Sequence, residues 1–216
     1  MTAQTQQTTT LESGPVTGTL VVYNFSTVPG NQPSTYGDTV FLWQTESQAV
    51  PVNAAPLASQ RIQANTSSGS GAITGVQITM QSYLMAYAVG PEVANIAAVV
   101  FIPATGNATG LSMQPEVQVT DVTAGGVAYQ YAVPAGMQPQ QDGDWVGIWE
   151  TADPSALYTQ PPLALSAVTS SASAGSGWLA VQLLVGNTYT LGYFKGGWAE
   201  RNPRQTTLAC TATFQS

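Results

Sequence analysis

The two halves of this chain align on each other at a fixed spacing, without a gap, and that repeat limits the fold more than any other property of the sequence. Tyr23 and Tyr129 lie 106 positions apart. The same spacing joins Val16–Thr17 to Val122–Thr123, Phe25 to Tyr131 and Pro33 to Pro139. It joins Gly37–Asp38 to Gly143–Asp144, and Val40, Trp43 and Thr45 to Val146, Trp149 and Thr151. It continues through Gly69–Gly71 and Gly175–Gly177, then Tyr83 and Tyr189, then Tyr87 and Tyr193, and reaches Gly90 and Gly196. A spacing kept through turns and strands alike marks a tandem duplication. The expected units are residues 14–109 and 120–216, joined by a linker at 110–119 that follows Gly106 and contains Gly110 and Pro115. Residues 1–13 read as a flexible polar tail.

Within each unit the pattern is β. Short runs such as GTLVVYNF, TGVQITM and NTYTLGYF alternate apolar and polar residues, and Gly, Pro, Ser and Asn clusters separate them. Seven such strands in roughly 100 residues is the arithmetic of an immunoglobulin-like sandwich. The fold expected is therefore all-β: two tandem immunoglobulin-like β-sandwich domains from an internal duplication. They would be related by a pseudo-twofold or by a screw-like translation.

Only 7% of residues are charged, and the net charge is −7. Lys195, Arg61, Arg201 and Arg204 are the only cations. Phosphate backbones and anionic membrane surfaces need clustered Lys and Arg, so both are poor partners. A surface of neutral polar groups opposes association little, which leaves homo-oligomers open. The chain has no His, which removes the commonest general base and metal ligand. No CxxC, HExxH, GxGxxG, P-loop or GxSxG pattern occurs, so no cofactor is implied and an enzyme has no supporting motif. Cys210 is alone, either a buried structural thiol or one that pairs between chains. The N-terminus has no basic start and no apolar run, so a cytoplasmic protein is the default and non-classical export the alternative. No stretch reaches membrane-span length. Sequons at Asn24, Asn65 and Asn107 are of the kind a Ser- and Thr-rich chain makes by chance.

The second unit presents GDWVGIWE, then NTYTLGYF, then a closing TLACTATF. This order resembles the SKICH family of immunoglobulin-like domains and the N-terminal sandwich of plant-type purple acid phosphatases. The matching residues are Asp144, Trp145, Val146, Gly147 and Ile148, then Tyr189, Leu191 and Tyr193, then Phe214. The first unit departs at Thr39, Phe41 and Leu42. These are strand motifs, so the resemblance implies a fold and an interaction or accessory role rather than an activity.

Shared residues read as framework. Asp38 and Asp144 sit in matching Gly-Asp turns, where a carboxylate can accept backbone N–H bonds. Asp142 with Asp144 could instead begin a calcium loop, but no further acid follows at loop spacing. Trp43 and Trp149 read as core. Residues found in one copy are the candidates for a site. Trp145, Trp178 and Trp198 face Thr39, Ala72 and Glu92 of the first unit. Lys195, Trp198, Glu200, Arg201, Asn202 and Arg204 crowd one Gly- and Pro-bounded loop. Lys195, Trp198, Glu200, Arg201, Asn202 and Trp178 are therefore the expected ligand-binding residues. An aromatic ring beside Arg, Asn and Glu can stack on a sugar or anchor a protein. The bland alternative is a solvated loop with a Glu200–Arg201 or Glu200–Arg204 pair. The function expected is a non-catalytic binding or adhesion protein recognising carbohydrate or a protein surface. A self-assembling structural protein, and an enzyme or enzyme-accessory domain of unknown chemistry, are the alternatives.

Overall fold

The computed structural model describes residues 4–104 and 111–216. Gly106, Asn107 and Gly110 lie outside the described residues, as do the first three of the expected tail.

The strands of the first half are β1 (Gln4–Thr8), β2 (Thr10–Thr17), β3 (Leu20–Ser26), β4 (Thr39–Gln44), β5 (Ala58–Arg61), β6 (Ser68–Thr74), β7 (Tyr83–Ala88) and β8 (Ile96–Ile102). Those of the second are β9 (Leu111–Met113), β10 (Glu116–Thr123), β11 (Gly126–Ala132), β12 (Trp145–Trp149), β13 (Ala164–Ala167), β14 (Ala174–Ala180), β15 (Thr188–Phe194) and β16 (Leu208–Gln215). Single helical turns α1 (Pro33–Tyr36) and α2 (Pro139–Asp142) precede β4 and β12. Each has Pro in its first turn, where a missing N–H costs nothing.

Each half builds one three-stranded and one five-stranded antiparallel sheet. The small sheets run β2-β3-β6 and β10-β11-β14. The large sheets run β5-β4-β7-β8-β9 and β13-β12-β15-β16-β1. Alternation on β3 buries Val21, Tyr23 and Phe25 and on β11 buries Val127, Tyr129 and Tyr131. The central strands β4, β7, β12 and β15 are buried on both faces, so they read as apolar runs. The fold is all-β and sandwich-type, as the patterning predicts.

The Gly-Ser-Gly repeat has a packing cause. Tyr23 lies opposite Gly71, and Tyr129 opposite Gly177. A Cβ at either glycine would collide with the tyrosine hydroxyl of the neighbouring strand. The missing side chain is replaced by an aromatic ring laid across from β3 or β11. Trp43 and Trp149 are likewise equivalent. Their Nε1 atoms donate to Ala54 O at 3.0 Å and to Gln160 O at 2.8 Å.

Three expectations need correction. Residues 4–8 and 10–13 are not a tail: they form β1 and the start of β2. Residues 111–113 and 116–119 are not a linker but β9 and the start of β10. β1 carries no apolar side chain and is held by its ladder to β16, whereas Leu11 of β2 and Val117 and Val119 of β10 are themselves buried in the core. The spacing of 106 also ends at Gly90 and Gly196. Ala88 pairs with Ile96, and Phe194 with Leu208, so the loop between them covers 89–95 in one unit and 195–207 in the other.

The first strands are exchanged. β1 belongs by sequence to unit one but pairs with β16, the last strand of unit two. β9 belongs to unit two but pairs with β8, the last strand of unit one. The registers match: Gln7 faces Thr211 as Met113 faces Val99. Contacts between the units are reciprocal too. Gly30 abuts Ser155, and its counterpart Gly136 abuts Val50. Val50 N donates to Ala135 O at 2.8 Å, and Tyr158 stacks on Tyr36 with ring centroids 5.8 Å apart. Reciprocity of this kind is the mark of a twofold relation rather than a translation.

Candidate functional site

Two buried carboxyls, Asp38 and Asp144, stand immediately before β4 and β12, central strands of the two large sheets. The turn ending in Asp38 is closed by Asp38 N donating to Pro33 O at 2.9 Å, and the turn ending in Asp144 by the equivalent 2.8 Å bond to Pro139 O. Each side chain then points inward beneath a tyrosine. Tyr87 Oη donates to Asp38 Oδ2 at 2.7 Å, and Tyr193 Oη to Asp144 Oδ2 at 2.8 Å. The remaining partners differ. Asn31 Nδ2 donates to Asp38 Oδ2 at 2.7 Å, whereas Lys195 Nζ donates to Asp144 Oδ2 at 2.6 Å and Gly196 N to Asp144 Oδ1 at 2.8 Å. Asp142 stands 3.7 Å from the same Lys195 Nζ.

Lys195 therefore leaves the expected ligand-binding set. Its side chain is fully buried, and its ammonium compensates Asp144 instead of facing a ligand. This also disposes of Asp142 and Asp144 as the start of a calcium loop, because the cation between them is a lysine. Burial raises the Asp38 carboxyl to about 7, against the opposing bonds from Tyr87 and Asn31. Burial also raises Asp144, with Lys195 as the largest influence pulling it back down. Asp38 Oδ1 and Asn31 Oδ1 are both buried without a partner.

The loop at 195–207 is a clasp. Trp198 is half-buried and packs on a second apolar cluster formed by Val28, Trp145, Trp149, Leu157, Tyr158, Phe194 and Leu208. Trp145 stacks on Phe194 within it, centroids 3.8 Å apart. Trp198 N donates to Gly143 O at 3.0 Å and Arg204 N to Gly197 O at 2.9 Å. Gln205 Nε2 reaches Gln160 O at 2.7 Å. Glu200, Arg201 and Asn202 remain exposed at the tip. Among the described residues the ion pairs within 4.0 Å are those of Lys195, so neither Glu200–Arg201 nor Glu200–Arg204 forms.

Trp178 lies elsewhere, on the outer face of β14, and 47% of it is exposed. Among the described residues no hydrogen bond or ring contact joins it to the loop. Its indole lies across Gly126 of β11, where a Cβ would collide with the ring. Unit one has Leu20 and Ala72 at these two positions, so bulk and space are traded between the strands. Trp178 forms one wall of a cleft between β13 and β14, with Tyr129, Ser166, Thr169, Ser170 and Ser176 as its polar lining. A shallow depression on the same sheet adds Glu116, Gln118 and Gln130 and shares Tyr131 and Ser176 with the cleft. The sequence singled out Trp178 by its absence from unit one, but not these hydroxyl and amide groups. Their scatter along the chain carried no signal until the strands were paired.

No family model matches the chain, and no curated protein matches it. Among solved structures, it is similar to a DUF3823 family protein from Bacteroides uniformis, at 10% identity and a TM-score of 0.34, over 88% of this chain and 93% of that one. It is also similar to the BSP domain of a biofilm-associated protein, at 11% identity and a TM-score of 0.26, over 87% of this chain and 27% of that one. Among the described residues, no helix is long and apolar enough to cross a membrane.

Proposed function

We propose that this protein binds carbohydrate without transforming it, and that the sugar lies in the cleft between β13 and β14 of the second unit. The observation that carries this reading is the half-exposed indole of Trp178, which covers Gly126 and borders a lining of hydroxyls. A sugar ring presents an apolar C–H face and a rim of hydroxyls. The indole matches the face, and Tyr129, Ser166, Thr169, Ser170 and Ser176 match the rim. Gln118, Gln130 and Glu116 extend the hydrogen-bonding surface across the sheet. A lining in which Glu116 is the single charged group suits a neutral glycan, since bound hydroxyls need donors and acceptors rather than counter-charges.

A glycan array followed by calorimetry tests it. Wild-type protein is expected to retain at least one neutral oligosaccharide, and Trp178→Ala to bind it at least about tenfold more weakly, the scale of about 1.4 kcal/mol. Retention of nothing by the wild type, or undiminished binding by Trp178→Ala, overturns the reading.

The exposed tip Glu200, Arg201 and Asn202 suits a protein surface instead. Asn202 holds φ at 67°, alone among the described non-glycine residues in the left-handed region. Under that second reading Arg201→Ala weakens a protein partner and leaves glycan binding unchanged.

A further inference from the structure

Asp144 and Lys195 flank the last rung of a strand pair. Trp145 faces Phe194 across β12 and β15, so the residue before the one stands beside the residue after the other. Both side chains are fully buried, and Lys195 Nζ lies 2.6 Å from Asp144 Oδ2. We propose that this pair condenses to an intramolecular amide, a covalent tie between β12 and β15 that forms once the chain has folded.

Three further groups surround the reacting atoms, and each has a place in the reaction. Gly196 N donates to Asp144 Oδ1 at 2.8 Å, and Tyr193 Oη donates to Asp144 Oδ2 at 2.8 Å. Asp142 Oδ2 stands 3.7 Å from Lys195 Nζ and accepts from Gln138 N at 3.0 Å. The ion pair is the reactant. The ammonium passes one proton to Asp144 Oδ2, which leaves an amine against a neutral acid. Burial favours that form of Asp144, raising its carboxyl above the ordinary range while Lys195 opposes the rise. The amine nitrogen then bonds to Cγ of Asp144. Negative charge gathers on Oδ1, where the N–H of Gly196 already sits at the distance an oxyanion donor needs. Asp142 takes the proton that the nitrogen sheds and returns it to Oδ2, which lies against the same nitrogen. The Cγ–Oδ2 bond breaks and Oδ2 departs as water, with the hydroxyl of Tyr193 steadying it. One ammonium and one carboxylate thus become one amide and one water, and Asp142 ends as it began.

In water such a condensation is held back by the hydration of both ions and by the need to bring them together. Folding has already removed both obstacles here. Fixed, oriented partners react as though each were present at about 10⁵ M or more. Unit one serves as the internal control. Val89 stands where Lys195 does, and the nitrogen that meets Asp38 is the amide of Asn31, which is not a nucleophile. One tie per chain is therefore expected. It would join positions 51 apart in sequence and constrain the unfolded chain as a disulfide does, in a protein whose single cysteine can form none internally. It also fixes the root of the 195–207 clasp to the turn ahead of β12.

Intact mass under denaturing conditions reads the bond directly. Wild-type protein is expected to weigh one water less than its sequence, and proteolysis to release a branched peptide joining Asp144 to Lys195. Lys195→Met and Asp144→Ala are each expected at full sequence mass. Wild-type protein at its full sequence mass overturns the proposal. A missing water that persists in Lys195→Met overturns it too, because it marks a succinimide at Asp142–Gly143 instead. The wild-type mass and the branched peptide decide the bond even where a variant fails to fold. Asp142→Ala keeps both reacting groups and is expected to slow the loss of water from freshly synthesised protein by at least about a hundredfold. A folded Asp142→Ala protein that loses water as fast as wild type overturns the role given to Asp142. The carbohydrate reading is untouched by any of these results, because neither Asp144 nor Lys195 lines the Trp178 cleft.

Discussion

Asp38 and Asp144 occupy the same turn of their two units, are both fully buried, and both accept a bond from a tyrosine of the neighbouring strand. Asp38 meets an amide, and Asp144 meets an ammonium. The exchange involves two positions in each unit. Asn31 is replaced by Met137, and Val89 by Lys195. One scaffold thus tolerates two ways of burying an acid. In unit one burial drives the carboxyl toward its neutral form, which an amide can satisfy. In unit two a counter-charge offsets the cost. A buried charge without such a partner is among the most destabilising features a core can hold.

The largest test removes that partner. Lys195→Met leaves Asp144 buried and unpaired, and is expected to cost about 3–5 kcal/mol in chemical denaturation. Adding Asp144→Asn to Lys195→Met should recover part of the loss, since the amide carries no charge. A loss under about 1 kcal/mol for Lys195→Met would show that the two acids are not held differently after all.

The next test sharpens the difference through pH. The folded carboxyl of Asp38, at about 7, lies above its unfolded value of roughly 4. Between those values the folded protein holds a proton that the unfolded chain releases. Stability contributed by Asp38 is therefore fully present below about pH 4 and is lost as pH rises through about 7. The expected slope is about 1.4 kcal/mol per pH unit at its steepest. Asp38→Asn should remove this component, as read from denaturation midpoints across the range. An unchanged slope would place the titration elsewhere.

A smaller effect probes what the units share. Gly71→Ala and Gly177→Ala each drive a methyl into a tyrosine hydroxyl, and each should cost about 1–3 kcal/mol. Unequal losses would break the equivalence of Tyr23 and Tyr129. The smallest change is expected for Trp178→Ala, within about 0.5 kcal/mol, because the indole is half exposed and unit one carries Ala72 at that position. A larger loss would make Trp178 a cover for Gly126 first and a ligand platform second.

Much of this was legible in the sequence. A spacing of 106 fixes the duplication, and a period of two fixes the strands. The Gly-Asp turns, Trp43 and Trp149 and the paired tyrosines follow from being kept in both copies. Trp178 stood out because it was not. Three features were decided only by tertiary structure. Lys195 reads as one charge among several in a polar loop, and only the pairing of β12 with β15 brings it to an acid 51 residues away. The hydroxyls around Trp178 come from β11, β13, β14 and the loop that follows β13, which share no local pattern. The exchange of β1 and β9 leaves no trace in the sequence, because a strand has the same alternation whether it completes its own unit or the other. Periodicity reports which face of a strand is buried; which neighbour buries it is settled by pairings far apart along the chain.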